Sequence, residues 1–153
     1  MRLPAGSADP RLIALATVYF LVYMGVGLQM PYLNLHFARI GLSGAEIGLL
    51  AAALPLGAIF GPPLIASFAD SRNDKRPLIA GLLLVSGALF CASVLATSVV
   101  WILPAVFLFG VVQRSVSPLM DALALEHVVQ GRIAYGRLRM WGSIGFVVTA
   151  LSG

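Results

Sequence analysis

Charged residues are scarce in this 153-residue sequence: Asp, Glu, Lys and Arg together make up 10% of it, whereas 59% is hydrophobic. Soluble domains carry about 25% charged residues, so the composition excludes an ordinary water-soluble fold. Cys91 is the only cysteine, which excludes an internal disulfide and a cysteine metal cluster; we expect it to be a buried structural thiol. The formal net charge of +4 is not a nucleic-acid signature, because the basic residues lie in short stretches between apolar runs.

The longest stretch without any charge runs from Pro77 to Gln113 and holds 37 residues. As one helix it would extend about 55 Å, far beyond the ~30 Å hydrocarbon core of a bilayer. The run should therefore cross twice and turn near Thr97 and Ser98. A second crossing that began at Val99 and ended at Gln113 would reach only about 22 Å. The sequence thus places Arg114 inside the membrane, where an ionisable residue marks a candidate functional site.

Other uncharged runs predict the remaining spans. Leu12–Ala38 holds 27 residues and Ile47–Ala69 holds 23, and both are long enough to cross. Met140–Gly153 holds 14, which begins a fifth span. We predict an all-α fold, a polytopic transmembrane helix bundle over residues 1–153 with four complete spans and the start of a fifth. The predicted spans are approximately 12–36, 45–68, 77–96, 99–120 and 138–153 (incomplete).

The basic residues also predict an orientation. Eight of the ten Lys and Arg residues lie before the first span or in the loops after the second and fourth, whereas only Arg39 lies in the loop after the first. Cytoplasmic loops are enriched in Lys and Arg. We therefore expect a multi-pass protein of the cell inner (plasma) membrane with a cytoplasmic N-terminus. Trp101 and Trp141 would be interfacial anchors.

One face of the first span carries aromatic, small and polar residues at helical spacing: Tyr19, Tyr23, Gly27, Met30 and Asn34. Tyr19 lies too deep to be an interfacial anchor, which favours a solute cavity over lipid beside this face. Pro31 should kink the outer third of the helix.

A second polar stripe follows the fourth span. Gln113, Arg114, Ser117 and Asp121 fall within about 100° of arc at helical spacing. Arg114 would lie about 8 Å from the inner boundary. It either lines a cavity and attracts an anionic solute, or it is a structural arginine that snorkels or pairs with Asp121.

Local patterns in the second span predict how it begins and packs. Ser43 and Glu46 have the spacing of a capping box. Small residues follow at helical spacing: Gly48, Ala52, Ala53, Gly57 and Gly61. Such faces let helices approach closely in lipid, so we expect this face to be a packing surface. Neither His36 nor His127 is assigned a role.

Two segments resemble the major facilitator superfamily: SPLMDALAL from Ser117 and YGRLRMWGSIGF from Tyr135. The second string is similar to the branch of phenylpropionic-acid:proton symporters and their relatives, as are Pro31-Tyr32 and GLSGAEIGLL from Gly41. The resemblance implies about twelve helices in two pseudosymmetric halves around a central cavity. This chain would then be an N-terminal fragment that needs the missing C-terminal helices or a second chain.

The superfamily's loop after its second helix usually reads Gly-x-x-x-Asp-Arg-x-Gly-Arg-Lys/Arg. The present loop, ASFADSRNDKR, keeps Asp70, Lys75 and Arg76. It departs from the pattern at Ala66, Ser71, Asn73 and Asp74. The resemblance implies a gating loop in which Asp70 braces the helices. A solvated charged loop without a gating role is an equally good interpretation of these residues.

Together these features predict a secondary active, proton-coupled transporter of a small organic solute such as an aromatic carboxylate, a sugar or a nucleoside. The expected partners are that solute, protons and the lipid bilayer, with no nucleic acid. Aromatic and polar contacts are expected from Tyr19, Tyr23, Gln29 and Asn34. Polar contacts, charge or proton linkage are expected from Gln113, Arg114, Ser117 and Asp121.

The alternatives are a short helical membrane protein that assembles through its Gly57 and Gly61 face or associates with a larger transporter, and an inactive transporter fragment. An enzyme is not expected, because the spans hold no Ser/His pairing, no paired aspartates and no metal-ligand spacing. No cofactor and no metal are expected either.

Overall fold

The computed structural model describes residues 10–72, 74–129 and 135–151, which form helices and the short links between them, with no strand in these ranges. The elements, in chain order, are α1 (Pro10–Arg39), α2 (Gly44–Asp70), α3 (Arg76–Leu95), α4 (Val99–Val129) and α5 (Tyr135–Leu151). The predicted all-α fold is confirmed.

Four of these helices are long and apolar enough to cross a membrane, by length and composition. The segments are Ile13–Arg39, Gly44–Asp70, Arg76–Leu95 and Val99–Leu125, and α5 adds a shorter apolar stretch, Leu138–Leu151. The link between α3 and α4 falls at residues 96–98, where the turn was expected. α4 continues beyond the predicted end at residue 120, because the residues that follow Asp121, Ala-Leu-Ala-Leu, are good helix formers.

The chain divides into two compact units. The terminal unit consists of Met1–Pro31 with Ala124–Gly153, and the central unit of Tyr32–Leu123. α1 and α4 therefore contribute to both units.

In the central unit, α2 and α4 approach each other backbone to backbone. A Cβ atom at Gly57 would lie 2.6 Å from the backbone nitrogen of Val111 and 2.7 Å from the carbonyl oxygen of Phe107. A Cβ at Gly61 would overlap the Val111 carbonyl oxygen, and one at Gly110 would lie 2.6 Å from the Leu54 carbonyl oxygen. Only hydrogen fits at these three positions, so the glycines determine how closely the two helices pack.

The small-residue face of α2 is only partly a packing surface. Gly57 and Gly61 are buried against α4, whereas Gly48 and Ala52 are exposed, and nothing lies within 4 Å of a Cβ built at Gly48. The expectation for Gly48 and Ala52 was therefore wrong. The alternative of assembly through Gly57 and Gly61 is also wrong, since α4 already occupies that face.

Side chains of α1, α2 and α4 form the hydrophobic core of the central unit: Leu33, Phe37, Leu50, Ala53, Ile102 and Val106. Phe90 of α3 packs against Phe109 of α4 with ring centroids 5.8 Å apart. Cys91 is exposed on α3, so the expectation of a buried thiol was wrong. α3 buries the face that carries Ile79, Ser86 and Ser93, and residue 91 lies on another side of the helix.

The link between α1 and α2 is closed by two local motifs. Gly41 has φ +90°, which favours glycine, while the Gly41 amide donates to Ala38 and the Leu42 amide to Phe37, as in a Schellman motif. The capping box at the start of α2 is confirmed: the Glu46 amide donates to the Ser43 hydroxyl, and the Ser43 amide donates to the Glu46 carboxylate at 2.7 Å.

In the terminal unit, α1 and α5 also meet at glycines. A Cβ at Gly145 would overlap the Phe20 carbonyl oxygen, and one at Gly142 would lie 2.9 Å from the ring of Tyr23. On the α1 side, a Cβ at Gly27 would overlap the Thr149 hydroxyl. The face of α1 that carries Tyr23 and Gly27 therefore packs on a helix and does not face lipid.

Candidate functional site

The polar stripe of α4 lies on one continuous helix. Gln113 is half-buried, and its Oε1 accepts a hydrogen bond of 2.6 Å from the hydroxyl of Ser86 on α3. Ser117 and Asp121 are half-buried too, and both are engaged in interactions within the structure. Arg114 is exposed. The stripe therefore combines a polar link between two helices with an accessible cation.

Arg114 lies deep in the apolar segment Val99–Leu125. It is about 22 Å along the helix axis from Val99 and about 16 Å from Leu125. A charged side chain within an apolar helical segment is costly in lipid unless it has a partner, reaches the boundary by snorkelling or meets a water-filled cavity.

Tyr19 and Tyr23, the two aromatic candidates on α1, belong to the terminal unit. The rings of Tyr19 and Tyr23 stack with centroids 6.4 Å apart and planes within 4° of parallel. Tyr19 is 0% exposed, so it offers no surface to a solute in this conformation, whereas Tyr23 and Gln29 are half-buried. α1 continues through Pro31 as one helix. Asn34, in the central unit, is exposed.

The loop between α2 and α3 carries acidic and basic residues, most of them exposed. Asp70 ends α2 and Arg76 begins α3, and both side chains are exposed; Lys75 is half-buried and engaged. Asp74 has a local role, since its carboxylate accepts a hydrogen bond of 3.0 Å from the Arg76 amide at the start of α3. Arg72 lies over the ring of Phe68, 5.0 Å from its centroid. Asn73 is outside the described residues.

Two polar contacts were missed by the reasoning from sequence. Ser86 was passed over, although it is one of few polar residues in the charge-free run. His36 was left without a role, but its Nε2 donates to the carbonyl oxygen of Val94 at 3.0 Å and so satisfies one of the last carbonyls of α3. The side chain of His127 is outside the described residues.

The model of a protein family described as "MFS_1 like family" matches residues 12–153. The chain belongs to the MFS_1-like family. The expected likeness to the major facilitator superfamily of transporters is thereby confirmed, and with its four long apolar helices this MFS_1-like chain is a multi-pass membrane protein.

Curated relatives of the MFS_1-like chain are named as a permease, a transporter and a resistance protein. It is 30% identical to the maltose permease of Geobacillus stearothermophilus over 88% of this chain and 34% of the relative. It is 33% identical to the probable 3-phenylpropionic acid transporter of Escherichia coli over 91% of this chain and 37% of the relative. It is 35% identical to the quinolone resistance protein NorA of Staphylococcus aureus over 49% of this chain and 19% of the relative.

The MFS_1-like chain thus spans about a third of the length of the first two of these relatives. No solved structure matches it significantly.

Proposed function

We propose that the MFS_1-like chain contributes helices to a secondary, proton-coupled transporter of a small organic anion, and that an aromatic carboxylate is a better solute than a sugar or a nucleoside. The observation that carries this proposal is Arg114, an exposed cation deep within the apolar α4. A charged side chain at this depth is costly in lipid and is typical of solute and ion pathways.

The chemistry of the guanidinium favours an anion with two oxygens. Arginine is permanently charged and binds a carboxylate through two parallel N–H···O bonds, a geometry that a sugar hydroxyl cannot match. One curated relative is named for 3-phenylpropionic acid, which has both a carboxyl group and an aromatic ring. Another relative is named for maltose, a neutral sugar. A guanidinium adds less to the recognition of a neutral molecule than to that of an anion.

Asp121 is our candidate for proton linkage. It lies seven residues after Arg114 on α4, about 10 Å further along the helix axis, and it is half-buried. Intramembrane carboxylates commonly act in proton relays, because their charge can be removed by protonation.

Candidate solute contacts are proposed for each unit by itself. In the central unit they are Gln113, Ser117 and Asn34. In the terminal unit they are Tyr23 and Gln29. Asp70, Lys75 and Arg76 remain candidates for a gating loop.

Uptake by cells that express the reading frame containing these residues tests the proposed solute and coupling. We expect radiolabelled 3-phenylpropionate to accumulate above the level in cells without the reading frame, and a protonophore to abolish the difference. The neutral amide of 3-phenylpropionate should compete poorly with it for uptake, and so should maltose. Uptake of maltose without uptake of the carboxylate would contradict the proposed solute, and uptake insensitive to the protonophore would contradict the coupling.

The proposed orientation, with the N-terminus in the cytoplasm of a plasma-membrane protein, is tested by thiol labelling. Cys91 is exposed and is first replaced by serine. Ser98→Cys, in the link between α3 and α4, should react with a membrane-impermeant maleimide on intact cells. Ser71→Cys, at the end of α2, should react only after lysis. Both replacements leave the loop charges unchanged, so the reverse pattern would contradict the orientation and not reflect a disturbed charge bias.

A further inference from the structure

The chain just after α2 carries an arginine that lies over an aromatic ring. The guanidinium carbon Cζ of Arg72 is 5.0 Å from the centroid of the Phe68 ring, a distance at which the ring face attracts the cation. Asp70 and Asp74 are close in sequence, yet in the part of the chain that the structure describes neither forms an ion pair with Arg72. The carboxylate of Asp74 instead accepts a hydrogen bond from the Arg76 amide. The positive charge of Arg72 is therefore held by a ring and not neutralised by a described carboxylate.

The sequence places this arginine and ring at a membrane boundary. The uncharged run Ile47–Ala69 holds 23 residues, about 34 Å of helix, which is close to the ~30 Å hydrocarbon core of a bilayer. Phe68 is the second-last residue of the run, and Arg72 follows it by four positions. The ring should therefore lie at the edge of the hydrocarbon, and the guanidinium among the lipid headgroups.

The surface of α2 that leads to this boundary is apolar and open. Leu64 lies one turn before Phe68 on the same face of the helix, and the two side chains are 65% and 57% exposed. Two large apolar side chains thus lead along α2 to a cation. A phospholipid supplies both of the groups that such a row lacks, an apolar chain to cover the side chains and a phosphate to neutralise the charge.

We propose that the end of α2 binds an anionic phospholipid through Leu64, Phe68 and Arg72. The guanidinium donates two parallel N–H···O bonds to the phosphate, and an acyl chain covers the two apolar side chains. The ring under the guanidinium restricts its motion, so less conformational freedom is lost on binding. With the proposed orientation the site faces the cytoplasmic leaflet, whose anionic lipids attract basic residues next to a span. The site is independent of the proposed solute.

The test uses the purified product of the full reading frame in detergent micelles. It is titrated with phosphatidylglycerol, with phosphatidylcholine of the same acyl chains, or with inorganic phosphate at the same concentrations. A ligand that binds the folded protein raises its unfolding temperature, so each titration gives an apparent dissociation constant. We expect phosphatidylglycerol to stabilise the protein at lower concentrations than phosphatidylcholine. Inorganic phosphate should not stabilise it, because it has no chain to cover the apolar row.

Variants assign the binding to the named side chains. Arg72→Gln should raise the apparent dissociation constant for phosphatidylglycerol about fivefold, as expected for one basic residue at an anionic lipid surface. Arg72→Lys keeps the charge without the planar fork and should retain part of the affinity. Phe68→Leu keeps the apolar surface but removes the ring, and should weaken binding about twofold.

The matched control is Arg39→Gln at the end of α1. Arg39 is exposed and follows an exposed leucine, Leu35, by four positions, as Arg72 follows Phe68. In the described residues the structure shows no ring contact for Arg39. Arg39→Gln should therefore leave the apparent dissociation constant for phosphatidylglycerol unchanged.

Three results would overturn the proposed lipid site. Equal stabilisation by phosphatidylglycerol and phosphatidylcholine would show that the phosphate charge is not recognised. Equal stabilisation by inorganic phosphate would show a site for a free anion and not for a lipid. Equal dissociation constants for Arg72→Gln and Arg39→Gln, with both variants folded in phosphatidylcholine, would show that the lipid binds elsewhere. The last result is also expected if a further helix covers this face of α2.

Discussion

Replacing Arg114 by glutamine should lower the uptake of 3-phenylpropionate, expressed as maximal rate over KM, by about 100-fold. Glutamine has a similar shape and still donates hydrogen bonds, so the change removes mainly the charge. A charge-assisted bidentate pair with a carboxylate is about twice as strong as a neutral hydrogen bond, and deep in an apolar helix little water competes for it. A loss of this size corresponds to about 2.7 kcal/mol.

Two further variants make the Arg114 result specific. Arg114→Lys keeps the charge but not the planar fork, so it should retain part of the uptake. Arg39→Gln is the matched control, since it removes an exposed arginine at the end of α1, and the loss of this charge strengthens the predicted orientation. Equal uptake by Arg114→Gln and Arg39→Gln would show that the cation of α4 lies outside the solute pathway.

Replacing Gly57 by alanine should destabilise the protein strongly although it adds a single carbon. A Cβ at Gly57 would meet backbone atoms of Phe107, Gly110 and Val111 at 2.6–2.8 Å, and backbone cannot rotate away as a flexible side chain does. Overpacking of this kind costs about 3 kcal/mol, which exceeds the gain of about 1 kcal/mol from replacing glycine by alanine within a helix. The net effect should be a clear loss of thermal stability, and Gly57→Leu should abolish the folded, monodisperse protein.

The matched control for Gly57 lies on the same helix. Gly48 is exposed and has nothing within 4 Å of a built Cβ, so Gly48→Ala gains helix propensity without a clash. We expect unchanged or slightly raised stability for Gly48→Ala. Thermal unfolding of the purified variants, followed by size-exclusion chromatography, distinguishes the two. Similar curves for Gly48→Ala and Gly57→Ala would contradict the close packing of α2 on α4.

The architecture could be predicted from the sequence because a bilayer of fixed thickness leaves few choices for long charge-free segments. The 37 residues from Pro77 to Gln113 had to cross twice, and α3 and α4 follow that division. The capping box of Ser43 and Glu46 was equally predictable, since both partners lie within one helical turn. The end of α4 could not be predicted from the length of a span, because residues with high helix propensity continue the helix beyond residue 120.

The candidate site was only partly predictable. Helical spacing grouped Gln113 with Arg114 on one stripe of α4, but it could not show that Gln113 bonds to Ser86 while Arg114 is exposed. It grouped Tyr19 with Tyr23, yet it could not show that Tyr19 is fully buried.

The sequence by itself determined that this protein is helical, apolar and multi-pass, that it belongs to the MFS_1-like family, and that one arginine interrupts a long apolar segment. Only the tertiary structure decided which glycines meet another helix, that Cys91 is exposed, and which polar side chains bond across helices. The reason is physical. The number of crossings and the helix caps depend on residues close in sequence and on the thickness of the bilayer. The burial of a side chain depends on which other helix packs against its face.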